Sequence, residues 1–385
     1  MTKYSGVFIL ALIVCLLSAC SVDLPQPQAS PTQAPARQTT APALTPPSAA
    51  TALALPKTSV PVTWGALKLQ GKLVFLNAVQ KENNSVLAIK QLDLASGDLY
   101  TLFQGPEMAW IYSMAVAPDA SRLVMSYTPP YAKGVQPIQM LYQMPLDGSA
   151  QPQALFPIAD PADQYLQPEW SPDGKYLYYT HVNYRATPKD QHYPNVEVFR
   201  ILFPDGKPEK IADKAFWARF SRDGKRLAYI YSDTDTGKNK LFVADPDGKN
   251  AVEVAMSGAV VPDIIDAPIF SGDGQTIYFS APSPQTATVP WAATVPLWWE
   301  RLLGITVAEA HNVPSEWWSV PTAGGEVRQL THLGQTGLFA SLAPDAQHIA
   351  SYSSNILLVL NPDLSGATQI FNEVGGAYGT VNWIP

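Results

Sequence analysis

Apolar residues come in short runs with the spacing of strands, and each run starts just after a tight turn built on aspartate. Leu123, Val124 and Met125 form one such run. Leu177, Tyr178 and Tyr179, then Leu227, Ala228 and Tyr229, then Ile277, Tyr278 and Phe279 form others. The turns read Trp170-Ser171-Pro172-Asp173-Gly174-Lys175, Phe220-Ser221-Arg222-Asp223-Gly224-Lys225 and Phe270-Ser271-Gly272-Asp273-Gly274-Gln275. Val116-Ala117-Pro118-Asp119 and Leu342-Ala343-Pro344-Asp345 are worn copies. These residue types suit a hairpin: Pro pre-sets φ, Asp hydrogen-bonds its own backbone, and Gly takes the left-handed conformation. A second strand pair ends at Asp147-Gly148, Asp205-Gly206, Asp247-Gly248 and Gly324-Gly325, with Ser96-Gly97 and Ser365-Gly366 as looser versions. Each unit therefore predicts four antiparallel strands, the size of a propeller blade.

A unit that cannot bury its own faces must stack on copies of itself. The turn residues Asp119, Asp173, Asp223, Asp273 and Asp345 lie 54, 50, 50 and 72 residues apart. The excess in the last step is too short for another blade of about 40 residues, so it predicts an insertion in blade 5, over 281–316. The first unit lacks an opening strand before Gly71-Lys72-Leu73-Val74-Phe75, and Gly379-Thr380-Val381-Asn382-Trp383-Ile384-Pro385 has the pattern of one. The expected fold is all-β, a six-bladed propeller of four-stranded antiparallel blades over 59–385. Pairing of the N- and C-terminal strands would close it and leave only short, protected edges.

The repeated turn resembles the signature of the TolB-like, WD-type family of β-propeller repeats, apolar-Trp-Ser-Pro-Asp-Gly-Lys. The resemblance runs from about Trp64 to Pro385, and three of the five copies keep Asp-Gly. It implies a propeller and leaves the partner open.

Ahead of the propeller, Lys3 precedes an apolar run from Val7 to Leu17, too short to span a bilayer and suited to a secretory signal. Leu17-Ser18-Ala19-Cys20 looks like a bacterial lipobox, which predicts a signal peptide over 1–19 and acylation of Cys20. Several acyl chains on one residue would anchor the protein stably to a membrane. From 20 to 58 the composition is Pro, Ala and Thr with almost no charge, as in a disordered tether. With Cys15 lost in the signal and Cys20 acylated, no thiol would remain for a disulfide, a nucleophile or a metal. The formal charge of −7 comes with no basic run, which argues against nucleic acid and fits a lipid-anchored, extracytoplasmic place in the cell envelope.

No catalytic motif stands out: there is no Gly-x-Ser-x-Gly elbow, no phosphate loop and no His-Glu-x-x-His pair. The reading is therefore no catalytic residues, no metal and no cofactor. His181, His192, His311, His332 and His348 are scattered, and Asp233-Thr234-Asp235 lacks the downstream Glu of a calcium loop. The variable b–c and d–a connections fall on the face opposite the aspartate turns, and loops on a rigid scaffold carry binding residues. That face offers Tyr131, Tyr184, Arg185, His192, Tyr193 and Asp235. The insertion adds Trp291, Trp298 and Trp299, with Pro296 placed to start a helix over 297–310. Such a helix would serve as a lid, a partner groove-binder or a membrane-surface contact.

One charge pair falls out of the repeat register. Glu169 and Arg219 precede Trp170 and Phe220, while Ala115, Ile269, Ser341 and Asn382 hold the equivalent places. The expectation is a buried structural ion pair between neighbouring blades near the channel. The function reading that follows is a membrane-anchored, noncatalytic module binding an envelope protein, peptide or glycan. The alternative is a propeller enzyme, a glycan lyase or hydrolase, in which His181, His192, Arg185 and an Asp converge at the channel mouth.

Overall fold

The computed structural model describes residues 55–81, 84–131, 138–157, 162–184, 195–233, 236–283, 314–353, 356–372 and 380–385. Among them the strands form six antiparallel sheets, five of four strands and one of five, and a separate two-stranded parallel pair. In each blade the strands run a to d from the channel outward. Blade 2 is Trp110–Val116, Arg122–Thr128, Met140–Pro145 and Gln153–Ala154; blade 3 is Asp163–Trp170, Tyr176–Asn183, Asn195–Leu202 and Glu209–Asp213. Blade 4 is Ala215–Phe220, Leu227–Asp233, Lys238–Ala244 and Val252–Glu253. Blade 5 is Asp266–Phe270, Thr276–Pro282, Ser315–Pro321 and Arg328–Gln329; blade 6 is Phe339–Leu342, Ile349–Tyr352, Leu357–Leu360 and Thr368–Phe371. Blade 1 places Val381–Ile384 innermost, then Lys72–Lys81, Asn84–Asp93 and Asp98–Gln104. Successive a strands touch one another, and Val381–Ile384 touches those of both blade 6 and blade 2.

The turn chemistry is visible atom by atom. Ser171 Oγ donates to Asp173 Oδ1 at 2.7 Å and accepts the Tyr176 N–H at 2.9 Å, while Asp173 Oδ1 accepts the Lys175 N–H at 3.1 Å. Ser221 with Asp223 and Ser271 with Asp273 repeat the arrangement, each pair at 2.7 Å. Gly174, Gly224 and Gly274 close these loops at φ of 69°, 69° and 68°. In the worn copies Ala120 and Ala346 hold the same left-handed place at 53° and 59°, a conformation that strains a Cβ.

The core lies between blades, because the inner strands bury one row of side chains against the blade before and the other row against the blade after, while outer strands such as Gln153–Ala154 and Val252–Glu253 stay exposed. Val124 and Leu141 of blade 2 pack with Trp170, Leu177, Tyr179 and Ile201 of blade 3. Tyr178, on the other face of blade 3, reaches blade 4 and donates its hydroxyl to the Pro246 carbonyl at 2.6 Å. Tyr278 repeats this two blades later with Pro362 at 2.7 Å. Trp317 and Trp318 are buried in the blade 5 c strand, as their alignment with Leu241 and Phe242 suggests.

Blade 1 carries a fifth strand, Lys57–Ser59, on its outer edge, paired with Asp98–Gln104 and tied by Lys57 Nζ to Asp98 at 2.7 Å. The strand takes in Lys57 and Thr58, which composition places in the tether. The outer edge of this blade is thereby only three residues long, a poor template for unwanted pairing. The parallel pair joins Met256–Ser257, in the connection out of blade 4, to Gly325–Glu326 at the end of the blade 5 hairpin. The described residues contain no α-helix, only a 3-10 turn at Gly65–Leu67. The helix expected over 297–310 lies outside the described residues. No described helix is long and apolar enough to cross a membrane.

Candidate binding site at the turn end of the channel

The a strands of blades 2 to 5 each carry an irregularity as they line the channel. Gln167, Trp217 and Ala267 occupy equivalent positions in blades 3, 4 and 5 with φ of 52°, 55° and 46°, and the a–b register shifts at each of them. A bulge of this kind takes backbone groups out of the ladder, and inside the channel they need partners. In blades 2 to 4 the preceding blade supplies them, while in blade 5 the Ala267 N–H goes to Asp266 Oδ1 at 2.9 Å. Ser113 Oγ accepts the Gln167 N–H at 2.9 Å, and Gln167 Oε1 accepts the Trp217 N–H at 3.1 Å. Thr380 Oγ1 and Asn382 Oδ1 of blade 1 accept the N–H groups of Met114 and Val116 of blade 2 at 2.8 and 3.1 Å. Blade orientation around the channel is thereby fixed by hydrogen bonds as well as by packing.

Two residues beyond the bulge, the six positions aligned from sequence meet in one place. Ala115, Glu169, Arg219, Ile269, Ser341 and Asn382 all line a cavity of about 320 Å³ at the end of the channel where the aspartate turns lie. Trp170, Phe220, Phe270 and Leu342 add apolar wall, and Pro118, Arg222 and Pro344 of three different turns form the mouth. Arg219 Nη1 lies 2.7 Å from Glu169 Oε2, with side-chain exposures of 13% and 23%. The guanidinium also sits 4.8 Å from the centre of the Trp217 ring, a cation–π arrangement. Burial raises the Glu169 carboxyl above the ordinary glutamate range; Arg219 and the Phe220 N–H pull it down but do not win.

Arg222 is the residue that inspection of the repeat passes over. It occupies the place of Pro118, Pro172 and Pro344 in sister turns, and of Gly272 in a fourth. From there it donates Nη2 to the Pro344 carbonyl at 2.6 Å, reaching from blade 4 to blade 6 across the turn of blade 5. The signal was present in the sequence as the one charge at a position otherwise held by Pro or Gly.

Of the residues expected on the opposite face, only Tyr131 and Tyr184 are described. Tyr131 is exposed beyond the blade 2 b strand. Tyr184 leans inward against the core instead, with its phenol pushed up to about 12 by burial. It neighbours Tyr112, whose phenol is raised by burial first and then by Asp266 and Tyr184. Arg185, His192, Tyr193, Asp235, Trp291, Trp298, Trp299 and Cys20 lie outside the described residues. His181 does meet an aspartate, with Nε2 3.0 Å from Asp163 Oδ1, while its Nδ1 faces Glu197 Oε2 at 3.6 Å. The ring also lies between Tyr165 and Phe199, with centroids 5.1 and 5.7 Å away. Both ring nitrogens thus address carboxylates of flanking strands, an arrangement that knits the blade 3 sheet. Among the described residues no group of three or more His, Cys, Asp or Glu is placed to hold a metal ion.

These features define a six-bladed β-propeller with a concave mouth at one end of its channel. Its fold is similar to the crystal structure of TolB from Acinetobacter baumannii, at a TM-score of 0.55 and 16% identity, over 82% of this chain and 67% of that one. It is also similar to a chain in a nidogen/laminin complex, at 0.54 and 10% identity, over 80% of this chain and 97% of that one. No protein-family model matches the chain, and no curated protein does.

Proposed function

We propose that the chain is a noncatalytic binding or scaffold module of the bacterial cell envelope, held to a membrane by acylated Cys20 and engaging a protein, peptide or glycan. The observation that carries this reading is the channel-mouth cavity, where residues from all six blades build one concave wall with two arginines. A preformed concavity on a rigid scaffold is suited to recognition, because little ordering is left to be done on binding. The likeness to TolB supports the fold beneath the reading, and the residues Leu17 to Cys20 support the compartment. We read the pairing of Lys72–Lys81 with Val381–Ile384 as the closure that makes the scaffold rigid.

The test is fractionation and cross-linked capture with the full chain and with Cys20→Ala. The expected result is a wild-type protein in the membrane fraction with a captured partner, and a variant that is soluble or unprocessed. A correctly cleaved Cys20→Ala protein that stays with the membrane would contradict the anchor. Failure of both proteins to capture any partner would contradict the binding role.

A further inference from the structure

The turn-end cavity has a chemical bias that the fold alone does not require. Its lining carries two guanidinium groups and one carboxylate, in a chain whose formal charge is −7. Glu169 engages one terminal nitrogen of Arg219, and that same Nη1 also makes a long bond of 3.4 Å to the Ala218 carbonyl. Among the described residues, Nε and Nη2 of Arg219 donate to nothing. Arg222 is similarly unspent, with Nη2 on Pro344 and no other hydrogen bond to a described residue. The turn aspartates do not form the cavity wall; Asp119, Asp173, Asp223, Asp273 and Asp345 each accept an N–H from within their own turn.

We propose that this mouth is a receptor for a carboxylate carried on a small apolar body, with Arg222 and the open edge of Arg219 as its anion-binding groups. The inference rests on the binding-module reading and names the ligand chemistry of the same site. A guanidinium presents paired N–H groups that match a carboxylate in a two-point geometry, and the match strengthens where apolar walls exclude water. Trp170, Ile269 and Phe270, all nearly buried, supply such walls and favour an organic acid over a bare inorganic anion. At about 320 Å³ the cavity is at the small end of ligand sites, enough for a short acid or the last residues of a chain. The single hydrogen bond from Arg222 to the neutral Pro344 carbonyl would be exchanged for an ion pair with the ligand's carboxylate.

The experiment is a titration of the purified full chain by calorimetry with hexanoate against hexanamide, and with acetyl-Ala-Ala-Val acid against its C-terminal amide. Inorganic phosphate is the third probe, and Arg222→Met the variant, chosen because the side chain sits on an exposed turn and its loss leaves the core untouched. The proposal expects both acids to bind, with amides and Arg222→Met weaker by about tenfold or more. Tighter binding of the peptide acid assigns a chain end as the source, and tighter binding of hexanoate a free acid; both support the site. Amides that match their acids, phosphate that matches hexanoate, an Arg222→Met protein that binds unchanged, or no acid binding at about 10 mM would each overturn it. Partner capture without acid binding would sink this inference and leave the binding-module reading intact.

Discussion

Replacing Arg219 with Met should destabilise the propeller far more than replacing both members of its ion pair. The carboxylate of Glu169 would be left in the cavity wall, 23% exposed and without its partner at 2.7 Å. Stranding one member of a buried pair costs about 3 to 5 kcal/mol, and the residual exposure here lowers that to about 2 to 4. Glu169→Gln should cost less, about 1 to 2 kcal/mol, since Arg219 keeps the Trp217 face and the Ala218 carbonyl. The double variant Glu169→Gln, Arg219→Met should fall within about 1 kcal/mol of wild type. Burial already outweighs the pull of Arg219 on the Glu169 carboxyl, so the pair holds little net stability against a neutral replacement. The single losses sum to about 3 to 6 kcal/mol against a double variant within about 1 of wild type, so the cycle predicts a coupling of about 2 to 7 kcal/mol, read from urea unfolding followed by tryptophan fluorescence.

Acidification supplies a second arm of the same test. A carboxyl whose folded pKa lies above its unfolded value adds stability that is full below the unfolded pKa and is lost as pH rises through the folded one. Removing Arg219 raises the folded value further, so the deficit of Arg219→Met should be large at pH 7 and shrink towards about pH 4.5. Additive single variants, or a deficit that does not shrink on acidification, would refute the reasoning.

Trp383→Ala should lower stability by about 3 to 5 kcal/mol, because it empties a nearly buried site and drops the indole bond to the Gln70 carbonyl at 2.9 Å. At about 2.1 cal/mol/K per residue over the 327 residues from Ser59, that is a Tm lower by about 4 to 7 °C, and a shift under about 2 °C would argue against a structural role for the C-terminal strand. Ala346→Gly should raise stability by about 0.5 to 1 kcal/mol, since Ala346 holds at a φ of 59° the place that Gly fills in the intact repeats; a loss in thermal unfolding would count against strain at that turn.

What could be read from the sequence was whatever repeats. The turn on Ser171 and Asp173 has a fixed hydrogen-bond pattern, so its copies locate the a–b hairpins, and Glu169 and Arg219 follow from them by register. The bulges at Gln167, Trp217 and Ala267 were hidden because the strained position selects no residue type; it is set by channel geometry and by acceptors from the preceding blade at the first two and from Asp266 at the third. The cavity was hidden for a related reason. The aspartate turns carry no long variable loop to mark a site, whereas the concavity forms only when Pro118, Arg222 and Pro344 are brought round one axis. Tyr184 misled because a position just past a strand end reads as loop, while its ring folds back onto the core.

The central claim, that partners are met at the turn end of the channel, is tested most directly by site-specific photo-crosslinking of the full chain in cells. A photoreactive residue would replace Pro118, which lines the mouth, or Tyr131, which is exposed on the opposite face. Adducts from position 118 and none from position 131 are predicted. Adducts from position 131 alone would place recognition on the variable loops and contradict the account.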